Sequence, residues 1–369
     1  MITNQAARIL PLEAEETLIY RAEAGGRTYS HHAGIAEFRG RLYAMWSSGK
    51  VNEDDRGQCV MAAVSLDGLQ GKMWSNPFPL FPEQPDGAVL TAAGFYVHGD
   101  TLNAYAGRYC YRGSAADPRP TADAEHLGTT LLVKTTGDGK HWSDVVDLHV
   151  PIIPNLPPRR LESGRLMLCG NVTFPVTDDP TGLSGWQVRG LSPCPVEGLQ
   201  DDSEGFHLHD SLRKDGFSVC EGSFFERDGI IRMLLRNTRD HLLCLSESRD
   251  GGENWSPLTL TDFTDNNSKF DCLTLPDGRV LIVSNPEQKG PRCPLAISIS
   301  DDGEHFDRRY LLATEPRPRR FAGMYKGGVY GYPEMLLTSD GTLFVICSVN
   351  KEDITTFRVP ILTKQCKGL

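Results

Sequence analysis

The chain has 369 residues, 39% of them apolar, enough to bury a sizeable core in a single domain spanning 1–369. It carries 38 Lys and Arg against 48 Asp and Glu, and the net charge of −10 argues against long-range capture of nucleic acid or of an anionic membrane. No apolar run reaches the ~18 residues of a membrane span, and three glutamates sit within the first twenty residues where a secretory leader needs an apolar stretch, so a cytoplasmic protein is expected.

In chain order the sequence reads as short β runs. A first run lies near Glu16 to Arg21. Six groups follow, at 31–81, 89–148, 151–215, 220–260, 267–313 and 331–361, with runs such as GIAEF, TLLVKTT, IIRMLLRN, RVLIVSN and TLFVICSVN. The 37 Gly and 24 Pro punctuate them, and long helical periodicity is nearly absent. The ten cysteines form no CxxC pair and are read mostly as buried, reduced thiols.

Four segments share Ser or Thr, any residue, Asp, Gly, then an aromatic. They are Ser65–Trp74, Thr136–Trp142, Ser248–Trp255 and Ser300–Phe306, and they look like Asp boxes. The pattern is hairpin chemistry: the Asp side chain accepts backbone N–H bonds, Gly takes positive φ, and the aromatic plugs the gap between neighbouring sheets. These boxes are therefore scaffold. Their aspartates at 67, 138, 250 and 302 are 71, 112 and 52 residues apart, so one degenerate box falls in the long gap. The period predicts an all-β, six-bladed β-propeller of four-stranded antiparallel blades, with seven blades as the alternative. The last group shows only about three strands, so the run near Glu16 to Arg21 is expected to complete it and close the ring.

In such a blade the start of the first strand and the end of the second share one face, the funnel mouth, opposite the boxes. The first-strand starts offer His31-His32, Gly94, Arg159-Arg160, Glu221, Ser268-Lys269 and Tyr332-Pro333-Glu334. The second-strand ends offer Ser47-Ser48, Arg108, Asn171, Arg236-Asn237, Asn285 and Asn350-Lys351. Local cationic groups on an acidic protein point to an anionic sugar group held by Arg forks and a Lys. Each residue also has a plain structural role open to it. Arg236 would pair with a carboxylate between blades, while Lys269 and Arg292 would be surface charges. Alternation in the strand turns one of His31 and His32 to the mouth and the other between blades. Glu221, in CEGSFF, is costly unless paired or used. The segment from Tyr325 and Lys326 to Tyr332 suits stacking on a sugar ring or a packed crossing. His98, in a hairpin, reads as a solvated turn residue.

The boxes and strand pattern resemble the sialidase-like (BNR-repeat, Asp-box) propeller superfamily along essentially the whole chain. Within it, stretches such as SHHAGIAEFRGRLYAMWSSGKVNEDDRGQ and EGSFFERDGIIRMLLRN look closest to the L-rhamnosyl-glucuronate hydrolase and lyase group. The resemblance to sialidases implies a three-Arg clamp on a substrate carboxylate, for which Arg108, Arg236 and Arg292 are available. It also implies a Tyr and Glu nucleophile pair, drawn from Tyr325 or Tyr332 with Glu221. The Phe-Arg-Ile-Pro-like element that carries the first Arg is missing. The narrower resemblance implies a catalytic histidine at His31 or His32.

The expected function is cleavage of a terminal glycosidic bond in an acidic, uronate-containing oligosaccharide. A lyase would use His31 or His32 as base with Tyr332, Arg236 and Lys269 on the carboxylate. A hydrolase would use paired carboxylates, Glu221 and Glu334. An exo-sialidase and a non-catalytic glycan-binding propeller are the alternatives, and Arg108, Arg236, Lys269, Asn285, Arg292, Tyr325, Lys326 and Glu334 are the expected substrate contacts. The enzyme readings require Glu221, Arg236 and a histidine to converge on one cavity. No cofactor is expected, since no His, Asp and Glu cluster shows ligand spacing, although the loop carboxylates Glu53-Asp54-Asp55 suit Ca²⁺.

Overall fold

The Asp boxes fix the strand repeat through their own hydrogen bonds. In a computed structural model, which describes residues 1–113, 126–191, 212–214 and 217–359, Asp138 Oδ1 accepts the N–H groups of Lys140 and His141, both at 2.8 Å. Gly139 between them has φ 73°, and a Cβ there would lie 1.9 Å from the Tyr43 hydroxyl of the neighbouring sheet, so only glycine fits. Asp302 repeats the pattern with Glu304 and His305 at 2.8 Å.

Two short strands open the chain, β1 (Arg8–Leu10) and β2 (Glu15–Tyr20). Blade 1 holds β3 (Tyr29–Phe38), β4 (Arg41–Gly49), β5 (Cys59–Val64) and β6 (Phe78–Phe81), and blade 2 holds β7 (Val89–His98), β8 (Thr101–Cys110), β9 (Leu127–Thr136) and β10 (Val146–Asp147). Blade 3 is described as β11 (Leu156–Arg160), β12 (Leu166–Cys169) and β13 (Val176–Thr177). In blade 4, β14 (Leu212–Lys214) precedes β15 (Phe217–Arg227), β16 (Ile230–Asn237), β17 (Leu242–Ser248) and β18 (Thr259–Thr264). Blade 5 is β19 (Asp271–Thr274), β20 (Val280–Ser284), β21 (Leu295–Ser300) and β22 (Arg308–Ala313), and blade 6 is β23 (Tyr330–Leu337), β24 (Leu343–Val349) and β25 (Asp353–Val359). These six sheets form a six-bladed β-propeller in which every predicted box joins the third and fourth strands. The degenerate box is at Asp179, where Oδ1 accepts the Thr181 N–H at 2.9 Å and the Trp186 indole donates to Gly182 at 3.0 Å, as Trp255 does to Gly252 at 3.2 Å.

The N-terminal segment closes the ring as expected. Strand β2 runs antiparallel to β25 and gives blade 6 its fourth strand. Strand β1 adds in parallel to β22, and Ile2 is buried between blades 4 and 5. The core lies between blades. Apolar side chains of blades 1 and 2 form one such layer around Phe38, Met45, Leu102 and Ala104, and blades 6 and 1 form another around Trp46, Ala44, Phe344 and Ile346. Each layer buries large apolar side chains completely, so the ring is held by face-to-face sheet packing.

The eight described cysteines are free and mostly buried. Cys194, Cys366 and the expected strands within 192–211 and at 360–361 lie outside the described residues.

Candidate active site

Three inner strands carry a β-bulge at the same height, and each bulge aims one polar side chain off the regular pleat. The register shifts between His31 and Gly34 in β3, between Cys220 and Gly222 in β15 and between Gly331 and Glu334 in β23. The residues inside these bulges, His32, Glu221 and Tyr332, have φ of 51°, 48° and 55°. Left-handed backbone at a non-glycine residue is uncommon and costs on the order of 1 to 3 kcal/mol, and it clusters where a side chain must be aimed. Blade 2 repeats the bulge with Gly94 (φ 97°), where a Cβ would lie 2.8 Å from Pro157.

The aimed side chains meet. The Tyr332 hydroxyl donates to Glu221 Oε1, and Arg236 Nη1 donates to Glu221 Oε2 at 2.5 Å. Arg236 Nε in turn donates to Asn267 Oδ1 at 2.5 Å, and Arg292 donates to the Asn267 carbonyl at 3.1 Å. The Tyr332 ring is ringed by cations, with the Arg292 guanidinium 5.5 Å from its centroid and the Lys269 and Lys351 ammonium groups each at 5.9 Å. Its other neighbours are imidazoles, His31 with ring centroids 4.0 Å apart and His32 at 5.0 Å. His31 is fully buried against blade 6, with Nδ1 2.6 Å from Ser348 Oγ, whereas His32 is only half-buried. His31 thus packs against the neighbouring blade while His32 stands more open, yet the bulge brings both rings to Tyr332 instead of sending one to the mouth and one between blades.

Electrostatics set the protonation states. Burial raises the Glu221 carboxyl, but the Arg236 charge and the bonds from Tyr332 and Arg236 outweigh it and hold it below the ordinary range, so it is a carboxylate at neutral pH. Burial and the Glu221 charge hold the Tyr332 phenol well above its ordinary value, so it keeps its proton. Burial, then the nearby Lys351, keeps His31 neutral, and burial lowers His32 to about 4 against the opposing pull of Glu53. Burial also lowers Lys269, opposed by Glu334, Asp271 and Glu221.

His31, His32, Glu221, Arg236, Lys269, Arg292 and Tyr332 therefore lie together around the Tyr332 ring and its bond to Glu221. The other expected residues do not join them. Arg108 is engaged by Asp86. Lys326 is a buried tie, donating to the Thr28 carbonyl at 2.7 Å. Tyr325 stands half-exposed on its loop. Asn285 supports from behind, its amide donating to the Arg292 carbonyl at 3.1 Å and to Pro294 at 3.2 Å. Glu334 faces the other way: it accepts the Ile35 N–H at 3.0 Å and lines a 550 Å³ axial cavity, with burial pushing its carboxyl up to about 7. It is too deeply turned away to partner Glu221.

Sequence reasoning missed Ser348 and Asn267, which lie inside an apolar strand and in a loop and acquire a role only through cross-blade contact, and it named Glu53 only as a loop carboxylate suited to Ca²⁺. Glu53 is paired with Lys351 and accepts the Tyr29 hydroxyl at 3.3 Å. Asp54 accepts the Tyr109 hydroxyl at 2.7 Å and Asp55 accepts from Asn52 at 2.9 Å, so these loop carboxylates have separate partners. Against the expectation from spacing, His31, His32 and Glu53 each bring a ligand atom within 4.8 Å of the other two.

The six sheets define a six-bladed β-propeller of BNR-repeat type. The BNR repeat-like domain model matches residues 40–345, and the chain belongs to that family. Among solved structures it is similar to a Dyadobacter fermentans protein of unknown function, at 16% identity and TM-score 0.69, over 94% of this chain and 98% of that one. It is also similar to a sialidase, at 23% identity and TM-score 0.65, over 95% of this chain but only 33% of that one. A Trypanosoma rangeli sialidase in complex with 2,3-difluorosialic acid aligns at 15% identity and TM-score 0.62, over 97% of this chain and 60% of that one. At these identities the likeness is one of fold. Comparison with curated proteins gave no match.

Proposed function

We propose that the protein is a glycoside hydrolase that cleaves the terminal bond of an acidic oligosaccharide by a retaining route, with Tyr332 as nucleophile and Glu221 as its base. The observation that carries this reading is the Tyr332 hydroxyl donating to the Glu221 carboxylate while Arg236 holds the other oxygen of that carboxylate. A phenol is a weak nucleophile until its proton has an acceptor, and Glu221 is ionised and in contact. In the first step the Tyr332 oxygen bonds to the anomeric carbon and its proton passes to Glu221. The glycosidic C–O bond breaks, and its electron pair leaves with the departing oxygen, which takes a proton from water. In the second step water attacks the same carbon and gives up its proton to the hydroxide left by the first step, the Tyr332–carbon bond breaks, and the phenoxide recovers its proton from Glu221.

The cations around the Tyr332 ring suit a carboxylate on the substrate: Arg292 offers a fork and Lys269 and Lys351 add charge, while Arg236 holds Glu221 and Asn267. The phenol is matched to such a substrate, because an anionic nucleophile would be repelled by that carboxylate. A second reading, a rhamnosyl-glucuronate lyase, is favoured by the neutral His31 whose ring lies tilted against Tyr332 with centroids 4.0 Å apart, since a neutral imidazole can take the C5 proton.

Incubation with rhamnosyl-glucuronate and sialyl oligosaccharides separates the two, following released monosaccharide by chromatography and unsaturated uronate by ultraviolet absorbance. Free sugar without new absorbance, lost in Tyr332→Phe, is the expected result. New absorbance would replace the hydrolase by the lyase, and no product with either sugar alongside measurable glycan binding would leave a binding propeller.

A further inference from the structure

One polar contact in the mouth is unsatisfied, and its geometry names what is missing. Ser348 Oγ lies 3.2 Å from the Gly331 carbonyl and 2.6 Å from His31 Nδ1, and with the hydroxyl proton on the Gly331 carbonyl the contact to His31 uses the imidazole's N–H. That fixes the tautomer and leaves the lone pair on His31 Nε2. This nitrogen is buried, has no hydrogen-bond partner, and lies 3.9 Å from Glu53 Oε1, which is also an acceptor. His32 Nδ1 is a second buried ring nitrogen without a partner. Lone pairs that face one another across such a gap repel unless a cation or a donor lies between them.

We propose that His31, His32 and Glu53 form a binding site for a divalent transition-metal ion such as Zn²⁺ or Co²⁺, with Ser348 orienting His31 from behind. Two imidazole nitrogens and one carboxylate oxygen are a borderline-soft donor set that favours Zn²⁺ and Co²⁺ over Ca²⁺ or Mg²⁺, and three protein ligands leave a position open toward the mouth. The chain Gly331 carbonyl, Ser348 hydroxyl, His31 imidazole has the form of an outer-shell relay that holds a ligating histidine in one tautomer and one orientation. The Lys351 ammonium now paired with Glu53 is the internal competitor for the ion, and Arg292 and Lys269 oppose a further positive charge. Lys351 holds Glu53 Oε2 while Oε1 faces His31, so its positive charge beside the site keeps the affinity modest and makes it tunable at that one residue.

The test is titration of the chelator-treated, full-length protein with Zn²⁺ by calorimetry and with Co²⁺ by its visible ligand-field spectrum. The expected result is one ion per chain with a spectrum of low coordination number. His32→Ala and Glu53→Gln each lose binding by ~100-fold or more, and Ser348→Ala weakens it by ~10-fold to 100-fold through loss of the oriented tautomer. Lys351→Met tightens it, a gain that a misfolded variant cannot produce. Tyr332→Phe loses hydrolysis and keeps the metal, so failure of this site and failure of the proposed reaction are separable. Absence of uptake by both the wild type and Lys351→Met overturns the proposal, as does binding that survives His32→Ala.

Discussion

The two ends of each blade satisfy their polar groups in opposite ways. At the box end, Asp302 Oδ1 takes two backbone N–H bonds and the Ser300 hydroxyl at 2.8 Å within a few residues of itself, and Phe306 is buried beside Phe263 with ring centroids 5.4 Å apart. Every partner is local in sequence, apart from the plug itself. At the mouth, Tyr332, Glu221, Arg236 and His31 come from three different blades, stand on left-handed backbone or beside it, and leave His31 Nε2 and His32 Nδ1 without partners. The difference teaches that charge and strain are concentrated where a ligand can complete them, while the scaffold end is already complete.

The sharpest way to break this contrast is at the phenol. Tyr332→Phe removes one hydroxyl and is expected to lower kcat/KM by ~10²–10⁴-fold while the melting temperature changes little, as steady-state kinetics beside calorimetry would record. At the box end the balance reverses: Phe306→Ala opens a cavity between blades 4 and 5 and should cost ~3–5 kcal/mol in denaturant unfolding, with kcat per folded molecule unchanged. A fall in kcat there would end the division between the two faces.

A subtler separation comes from pH. Burial raises Glu334 from 4.5 to about 7, so between those values the folded form keeps a proton that the unfolded chain has lost, and stability falls as pH rises through that window. Glu334→Gln should flatten this part of the stability profile, leaving the similar contribution of Asp265, also raised to about 7 by burial. The box aspartates act with the opposite sign. Burial raises the Asp302 carboxyl, but its hydrogen bonds with His305, Glu304 and Ser300 together outweigh it and lower it, so its contribution is present above the ordinary carboxylate range and fades in acid. Asp302→Ala is accordingly the smallest expected effect, about 1 kcal/mol of stability near neutral pH with unaltered turnover.

The scaffold was legible in the sequence because its rules are local. A box needs its Ser or Thr, Asp, Gly and aromatic within a few residues, and the missing strand of blade 6 showed as an unpaired edge that β2 fills. Even the degenerate box was anticipated by spacing, although Asp179 could not be picked out, since its turn has Pro180 and Thr181 where the pattern wants glycine. The mouth was half legible. First-strand starts named His31, His32, Glu221, Lys269 and Tyr332 because topology alone brings them together. Which of them touch depends on bulges that alternation does not announce, and Glu334, two residues from Tyr332, is turned away by the same bulge that aims Tyr332 inward. Ser348 was out of reach and Glu53 was legible only as one of three loop carboxylates, since a strand serine and a loop glutamate gain their roles here from the side chains opposite them.

The most direct test of the account is to trap the reaction at the residue it names. A fluorinated acidic glycoside with a good leaving group, incubated with the protein and followed by peptide mass mapping, should leave a covalent sugar on Tyr332 that disappears in Tyr332→Phe. A sugar attached to any other residue, or turnover of the substrate by Tyr332→Phe at the wild-type rate, would contradict it.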